Sequence, residues 1–153
     1  MIRNTIVVIA LLASAACGGP TPASSTPAST PTGAATVLVA AVPKLGPIVV
    51  DGRGMSLYLF EADRSSSSTC YGSCAAYWPP LLTNGAPHAG PGASPALLGT
   101  TRRTDGSVQV TYHGHPLYYV VTDHNPGDTT GQGVDNFGAL WYVLGGDGNK
   151  KTV

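Results

Sequence analysis

The chain has 153 residues, and only about a tenth of them are charged, with eight Lys and Arg against eight Asp and Glu, so the formal net charge is zero. A polyanion binder would carry a basic stripe, but the only adjacent basic pairs here are Arg102-Arg103 and Lys150-Lys151, which argues against nucleic acid as a partner. Twenty glycines and thirteen prolines make turns dense and argue for a mainly β fold with few helices.

At the amino end, Met1-Ile2-Arg3-Asn4 and the apolar run Thr5 to Ala16 have the layout of a secretory signal. The run is too short for a spanning helix, which needs roughly 20 apolar residues. It stops at Ala15-Ala16-Cys17-Gly18, where small residues before a cysteine resemble the lipobox of bacterial lipoprotein signals, although Ser14 stands where that pattern usually has Leu. The resemblance implies cleavage before Cys17, acylation of that cysteine and attachment of an exported domain to a membrane of the cell envelope. Plain secretion, with Cys17 free or in a disulfide, is the alternative. Of residues 17–36, those after Cys17 are all Pro, Thr, Ser, Ala and Gly without charge, a composition that cannot offset the entropy of ordering and predicts a disordered tether. The remaining residues, 37–153, are a normal length for one domain with a single core.

Sliding the chain against itself exposes an internal repeat. Gly54-Met55-Ser56-Leu57-Tyr58-Leu59-Phe60-Glu61-Ala62-Asp63 lies without a gap over Gly114-His115-Pro116-Leu117-Tyr118-Tyr119-Val120-Val121-Thr122-Asp123, with Gly, Leu, Tyr and Asp identical at an offset of sixty. A looser match reaches forward to Trp78 in one copy and Trp141 in the other, giving repeats at about 45–83 and 105–145. Each copy reads as a β-hairpin: Pro47 to Val50 with Ser56 to Ala62, then Ser107 to Tyr112 with Pro116 to Thr122. The tight connections would be Asp51-Gly52-Arg53-Gly54 and His113-Gly114. Alternation of Val108, Val110 and Tyr112 with Gln109 and Thr111 predicts one buried and one wet face on that strand. A single hairpin is marginal in water, so two should pack together as one small antiparallel domain, closed by a strand near Leu140 to Leu144. The one helical candidate is a short segment near the cysteine pair.

These residues resemble a bacterial family of secreted repeats, or predicted lipoproteins, defined by a Tyr-x-aromatic-x-x-Asp motif. The motif here is Tyr58-Leu59-Phe60-Glu61-Ala62-Asp63, and the second copy carries Val120 where the aromatic is expected. The family's function is unknown, so the resemblance implies architecture and location but no reaction.

Several side chains are candidates for chemistry. Cys70 and Cys74 would reside where disulfides persist and are expected to brace the loop before Trp78; the sharper alternative is a redox-active or copper-binding pair, since soft thiolates suit copper(I). His113 and His115 flank the second hairpin turn and could chelate a metal with the cysteines, yet Arg53 and Met55 replace them in the first copy. His124 is a further candidate ligand beside them, His88 is the remaining histidine, and turn histidines are ordinarily solvated. Asp123-His124-Asn125-Pro126-Gly127-Asp128 offers oxygen ligands for calcium, but such runs more often bond their own backbone. Asp63 and Asp123, each ending a strand, are an acid/base pair if they meet and turn caps if they do not. Tyr58, Tyr118, Tyr119, Trp78 and Trp141 are expected first as core. No nucleophile elbow, phosphate loop or zinc-protease motif is present and no cofactor is implied. The expectation is a non-enzymatic envelope module with an unidentified protein or small-molecule partner; the alternative is an exported redox or copper-handling protein built on Cys70 and Cys74.

Overall fold

The computed structural model describes residues 31–152; the signal segment, Cys17 and most of the tether lie outside them. The first ordered element is β1 (Thr36–Val42), followed by β2 (Gly46–Asp51) and β3 (Tyr58–Phe60). A short helix α1 (Ser73–Tyr77) follows the first cysteine, and then come β4 (His88–Ala89), a single 3-10 turn at Pro95–Leu97, β5 (Leu98–Arg102), β6 (Val108–Tyr112), β7 (His115–Pro116), β8 (Val134–Asn136) and β9 (Ala139–Val143). The domain is thus mainly β with one short helix beside the cysteine pair, and no helix among the described residues is long and apolar enough to cross a membrane.

Three three-stranded sheets result, ordered β2-β1-β4, β3-β9-β8 and β5-β6-β7. All pairings within them are antiparallel except β1 with β4, which is parallel and two residues long. Each repeat's hairpin is enlarged by an upstream strand. In the first copy β2 pairs along its whole length with β1, from Val37↔Asp51 to Val42↔Gly46, while its link to the next segment is the single bridge Val50↔Ser56. In the second copy β6 pairs with β5 and, through the His113-Gly114 turn, with β7. The segments after each turn regain strand pairing mostly with the other copy. Tyr58 and Tyr118 face one another and exchange both backbone hydrogen bonds, at 2.8 and 3.0 Å. Since these residues are equivalent under the repeat, an approximate twofold axis passes between them. The same exchange recurs further out: the Val49 N–H donates to the Leu144 carbonyl and the Val110 N–H to the Leu81 carbonyl, both at 2.8 Å.

Alternation of side chains across a strand explains the two-part core. Ile48, Val50, Tyr58, Phe60, Tyr118 and Val120 point into a cluster with Trp78, Trp141, Val143 and both cysteines. Val49, Leu57, Leu59 and Leu117 point the other way, into a cluster with Val37, Leu81, Val110, Tyr112 and Leu144. The apolar run Ile48-Val49-Val50 is therefore the signature of a strand covered on both faces. Strand β6 departs from expectation. Its supposed wet face is buried, with Gln109 fully inaccessible and Thr111 nearly so, because Gln109 satisfies its amide internally: Oε1 accepts from Arg103 Nη1 at 2.7 Å and Nε2 donates to the Leu117 carbonyl at 2.8 Å.

Candidate functional site

The repeat motif converges on the approximate axis. Trp78 and Trp141, one from each copy, stack face to face with ring centroids 3.9 Å apart and planes 2° from parallel. Each is met edge-on by the tyrosine of its own copy, Tyr58 on Trp78 at 5.4 Å and Tyr118 on Trp141 at 5.2 Å. Phe60 also lies parallel to Trp141, at 4.1 Å. Val120 occupies the equivalent place in the second copy, so no fourth ring completes the pattern. The indole Nε1 of Trp141 donates to the Asn136 carbonyl at 3.0 Å, whereas the buried Nε1 of Trp78 has no partner. Room for Trp78 depends on Gly131: a Cβ there would come within 2.6 Å of the indole and 2.9 Å of the Tyr58 ring.

Around this stack the polar motif residues bond crosswise. The hydroxyl of Tyr58 donates to Asp123 Oδ2, and that of Tyr118 to Asp63 Oδ2, both at 2.6 Å. Each carboxylate's other oxygen holds its own loop. Asp63 Oδ1 accepts from the backbone N–H and hydroxyl of Thr69 at 2.7 and 2.6 Å, and Asp123 Oδ1 from those of Thr130 at 2.9 and 2.6 Å. The expected turn-capping role is present in both copies; the inter-copy tyrosine bond was invisible to residue-by-residue reading. Each carboxylate thus accepts three hydrogen bonds, two from its own loop and one from the tyrosine of the other copy. Burial, reinforced by the neighbouring aspartate, pushes the Tyr58 and Tyr118 hydroxyls well above the usual phenol range. Burial and Asp51 do the same to Tyr119, whose hydroxyl donates to Asp51 Oδ2 at 2.9 Å.

The loop from Asp63 to Trp78 is braced differently from its counterpart. Cys70 and Cys74 are joined in a disulfide with both residues buried. The buried guanidinium of Arg103, which sequence reading noticed only as part of a basic pair, reaches up from the second copy: Nη2 donates to the Cys70 carbonyl and Nη1 to Ser68 Oγ, both at 2.7 Å. Its Cζ lies over the Tyr71 ring, 4.4 Å from the centroid. Since Ser68 Oγ lies 2.7 Å from the Tyr118 hydroxyl, whose single proton goes to Asp63, Ser68 is the donor in that contact, and Asp63, Tyr118, Ser68, Arg103 and Gln109 form one continuous hydrogen-bonded chain. In the second copy the corresponding loop is closed by Asp128, whose Oδ2 accepts from the backbone N–H groups of His124 and Asn125 at 2.9 and 2.8 Å. That loop's oxygens therefore serve its own backbone.

His113 and His115 lie with ring centroids 6.3 Å apart. His113 is exposed and His115 half-buried; burial, then the neighbouring His113, lower the His115 imidazole, with Asp63 opposing. His88 and His124 are exposed elsewhere. Among the described residues no three His, Cys, Asp or Glu side chains group as metal ligands. An open groove of about 820 Å³ runs along the outer side of β3 and β9, lined by Glu61, Arg64, His115, Asp135 and Lys150 among others, with Glu61 and Lys150 paired across it.

No curated protein and no solved structure matches the chain. Both copies nonetheless fit one family model, over residues 39–82 and 99–144, ranges that contain every motif residue of the crossed tyrosine–aspartate pairs. The chain belongs to the family described as a secreted repeat of unknown function.

Proposed function

We propose that the protein is a non-enzymatic module of the cell envelope, exported through its amino-terminal signal, anchored by lipid on Cys17 and carried on the uncharged segment that follows. The observation that supports it most is the mutual saturation of the motif. The tyrosine and aspartate that the two motif copies share, Tyr58 with Asp63 and Tyr118 with Asp123, bond one another across the copies, so the most distinctive residues are spent on holding the fold that the anchor carries. Membership in a secreted family and a buried disulfide both suit an oxidising compartment. No observation favours the redox or copper-handling reading, since both sulfurs are buried in their mutual bond.

Intact-mass analysis of protein extracted from its native membrane tests this reading. The expected species begins at Cys17, carries acyl chains on that residue and retains the Cys70–Cys74 disulfide. A species that begins elsewhere, or an unmodified Cys17, would overturn the anchor. Stoichiometric copper on the same sample would revive the alternative.

A further inference from the structure

The three large apolar side chains left exposed among the described residues meet at one place. Tyr77, at the end of α1, is 37% accessible, Phe137 42% and Val121 44%. The Val121 N–H donates to the Tyr77 carbonyl at 3.1 Å, and the Tyr77 and Phe137 rings lie 6.5 Å apart. Three separate segments therefore assemble this patch.

Phe137 occupies an unusual position. It is the first of two residues joining β8 to β9, where Asn136 pairs with Ala139, and both turn residues have positive φ, 56° at Phe137 and 88° at Gly138. Turns of that shape favour Asn or Gly, and a bulky side chain is disfavoured there by contact with its own backbone. A ring held in this conformation at the tip of a hairpin, without being buried, calls for a use outside the domain.

We infer that Tyr77, Val121 and Phe137 form a membrane-contact patch that rests the domain on the lipid surface holding its own anchor. This rests on the Cys17 reading above. Size is the first argument. Three side chains less than half exposed offer on the order of 200 Å², whereas a stable protein interface buries about 800 Å² per partner. A patch too small to hold a protein suffices for a domain already confined near the membrane, where tethering supplies a high effective concentration. Reach is the second. Thirteen residues separate Cys17 from Pro31, the first described residue. Extended, they span up to roughly 45 Å, more than the ~35 Å diameter of a sphere with the radius of gyration of a domain this size, so the tether lets the domain turn at the membrane instead of fixing one face against it. Chemistry is the third, because two aromatic rings and an aliphatic side chain suit the boundary between headgroups and acyl chains. Arg64, exposed and in no ion pair among the described residues, lines the same groove as Gly138, and its guanidinium suits a lipid phosphate. Asp135 in the same groove opposes a strongly anionic surface, so the contact is apolar first.

The test uses the full acylated protein reconstituted in phosphatidylcholine vesicles, with and without bromine on the acyl chains. Trp78 and Trp141 are inaccessible and give a constant background. Phe137→Trp adds a reporter at the patch, and the expected result is quenching of its added fluorescence by at least twofold in brominated vesicles, with wild type little changed. A second variant pair guards against a folding artefact: Phe137→Asn, which the turn prefers, should leave thermal stability equal or raised while abolishing the quenching of a Tyr77→Trp reporter. Protein that floats with the vesicles but shows no added quenching overturns the patch and leaves the anchor standing. Protein that does not float removes the anchor, and the patch with it. Self-association lost in Phe137→Asn, without quenching in wild type, would assign the face to a second copy instead.

Discussion

Tyr58 and Tyr118 each give one hydrogen bond to a buried carboxylate of the opposite copy, and a bond to a charged group contributes about 1.5–3 kcal/mol. Tyr118→Phe and Tyr58→Phe should therefore each lower unfolding free energy by about 2 kcal/mol in urea titrations. Combining Tyr118→Phe with Asp63→Asn should cost less than the sum of the two, whereas combining it with Asp123→Asn should be close to additive. The same phenols impose a pH dependence. In the unfolded chain a tyrosine loses its proton near pH 10, but burial raises the folded-state value above that. The folded protein then holds more protons than the unfolded one, so stability falls as pH climbs beyond about 10. His115 acts in the opposite direction. Its folded value is depressed, so the unfolded chain takes up the proton first and stability falls as pH drops below about 6.5. Melting temperature followed from pH 5 to 11 should show both edges, the alkaline one shallower in Tyr118→Phe and the acid one shallower in His115→Gln.

At the level of the elements, the two copies solve one problem twice: how to close the loop that follows the motif aspartate. The first uses a disulfide and a borrowed guanidinium, the second an aspartate that bonds its own backbone. Chain-entropy arguments assign so short a covalent loop about 2 kcal/mol, so Cys70→Ser with Cys74→Ser should lower stability by about that much without unfolding the domain, as measured in guanidinium. Gly131→Ala should be more damaging, about 3 kcal/mol, since its methyl meets two buried rings and adding a carbon to a filled core forces displacement. The elements differ in how visible they were. Strands β2, β6 and β9 and the His113-Gly114 turn follow from apolar runs and turn residues. Strand β1 was missed because its Thr-Val-Leu-Val-Ala-Ala-Val abuts the Pro/Thr/Ser/Ala segment and carries no repeat signal. Strand β5, Leu-Gly-Thr-Thr-Arg, has neither alternation nor apolar weight and exists because β6 lies beside it. Gln109 misled because polarity normally marks a wet face, and only the distant Arg103 makes its burial tolerable.

Across the whole molecule, recognising the repeat located the motif residues correctly but not their partners. Alignment places Tyr118 with Asp123, five residues apart in one copy, while the fold pairs Tyr118 with Asp63. Internal similarity reports equivalence, not contact. The Trp78–Trp141 stack and the strand exchange at Tyr58 and Tyr118 likewise belong to neither copy alone. A fragment ending near residue 90 and one beginning near residue 93 should each lack fixed tertiary structure by near-ultraviolet circular dichroism and dispersed NMR signals. Mixed in equal amounts, they should recover both.

The crossed tyrosine–aspartate bonds also constrain how such a sequence can change over time. A single copy on its own would find its acceptor only in another molecule of itself, so the two halves meet as the protomers of a homodimer would, with the axis between Tyr58 and Tyr118 as the seam. Away from that seam the two halves differ, with Val120 against Phe60 and Asp128 against the disulfide. The buried pairs were not free to diverge independently. A replacement at Tyr118 can be compensated at Asp63, 55 positions away, rather than at the aspartate of its own motif.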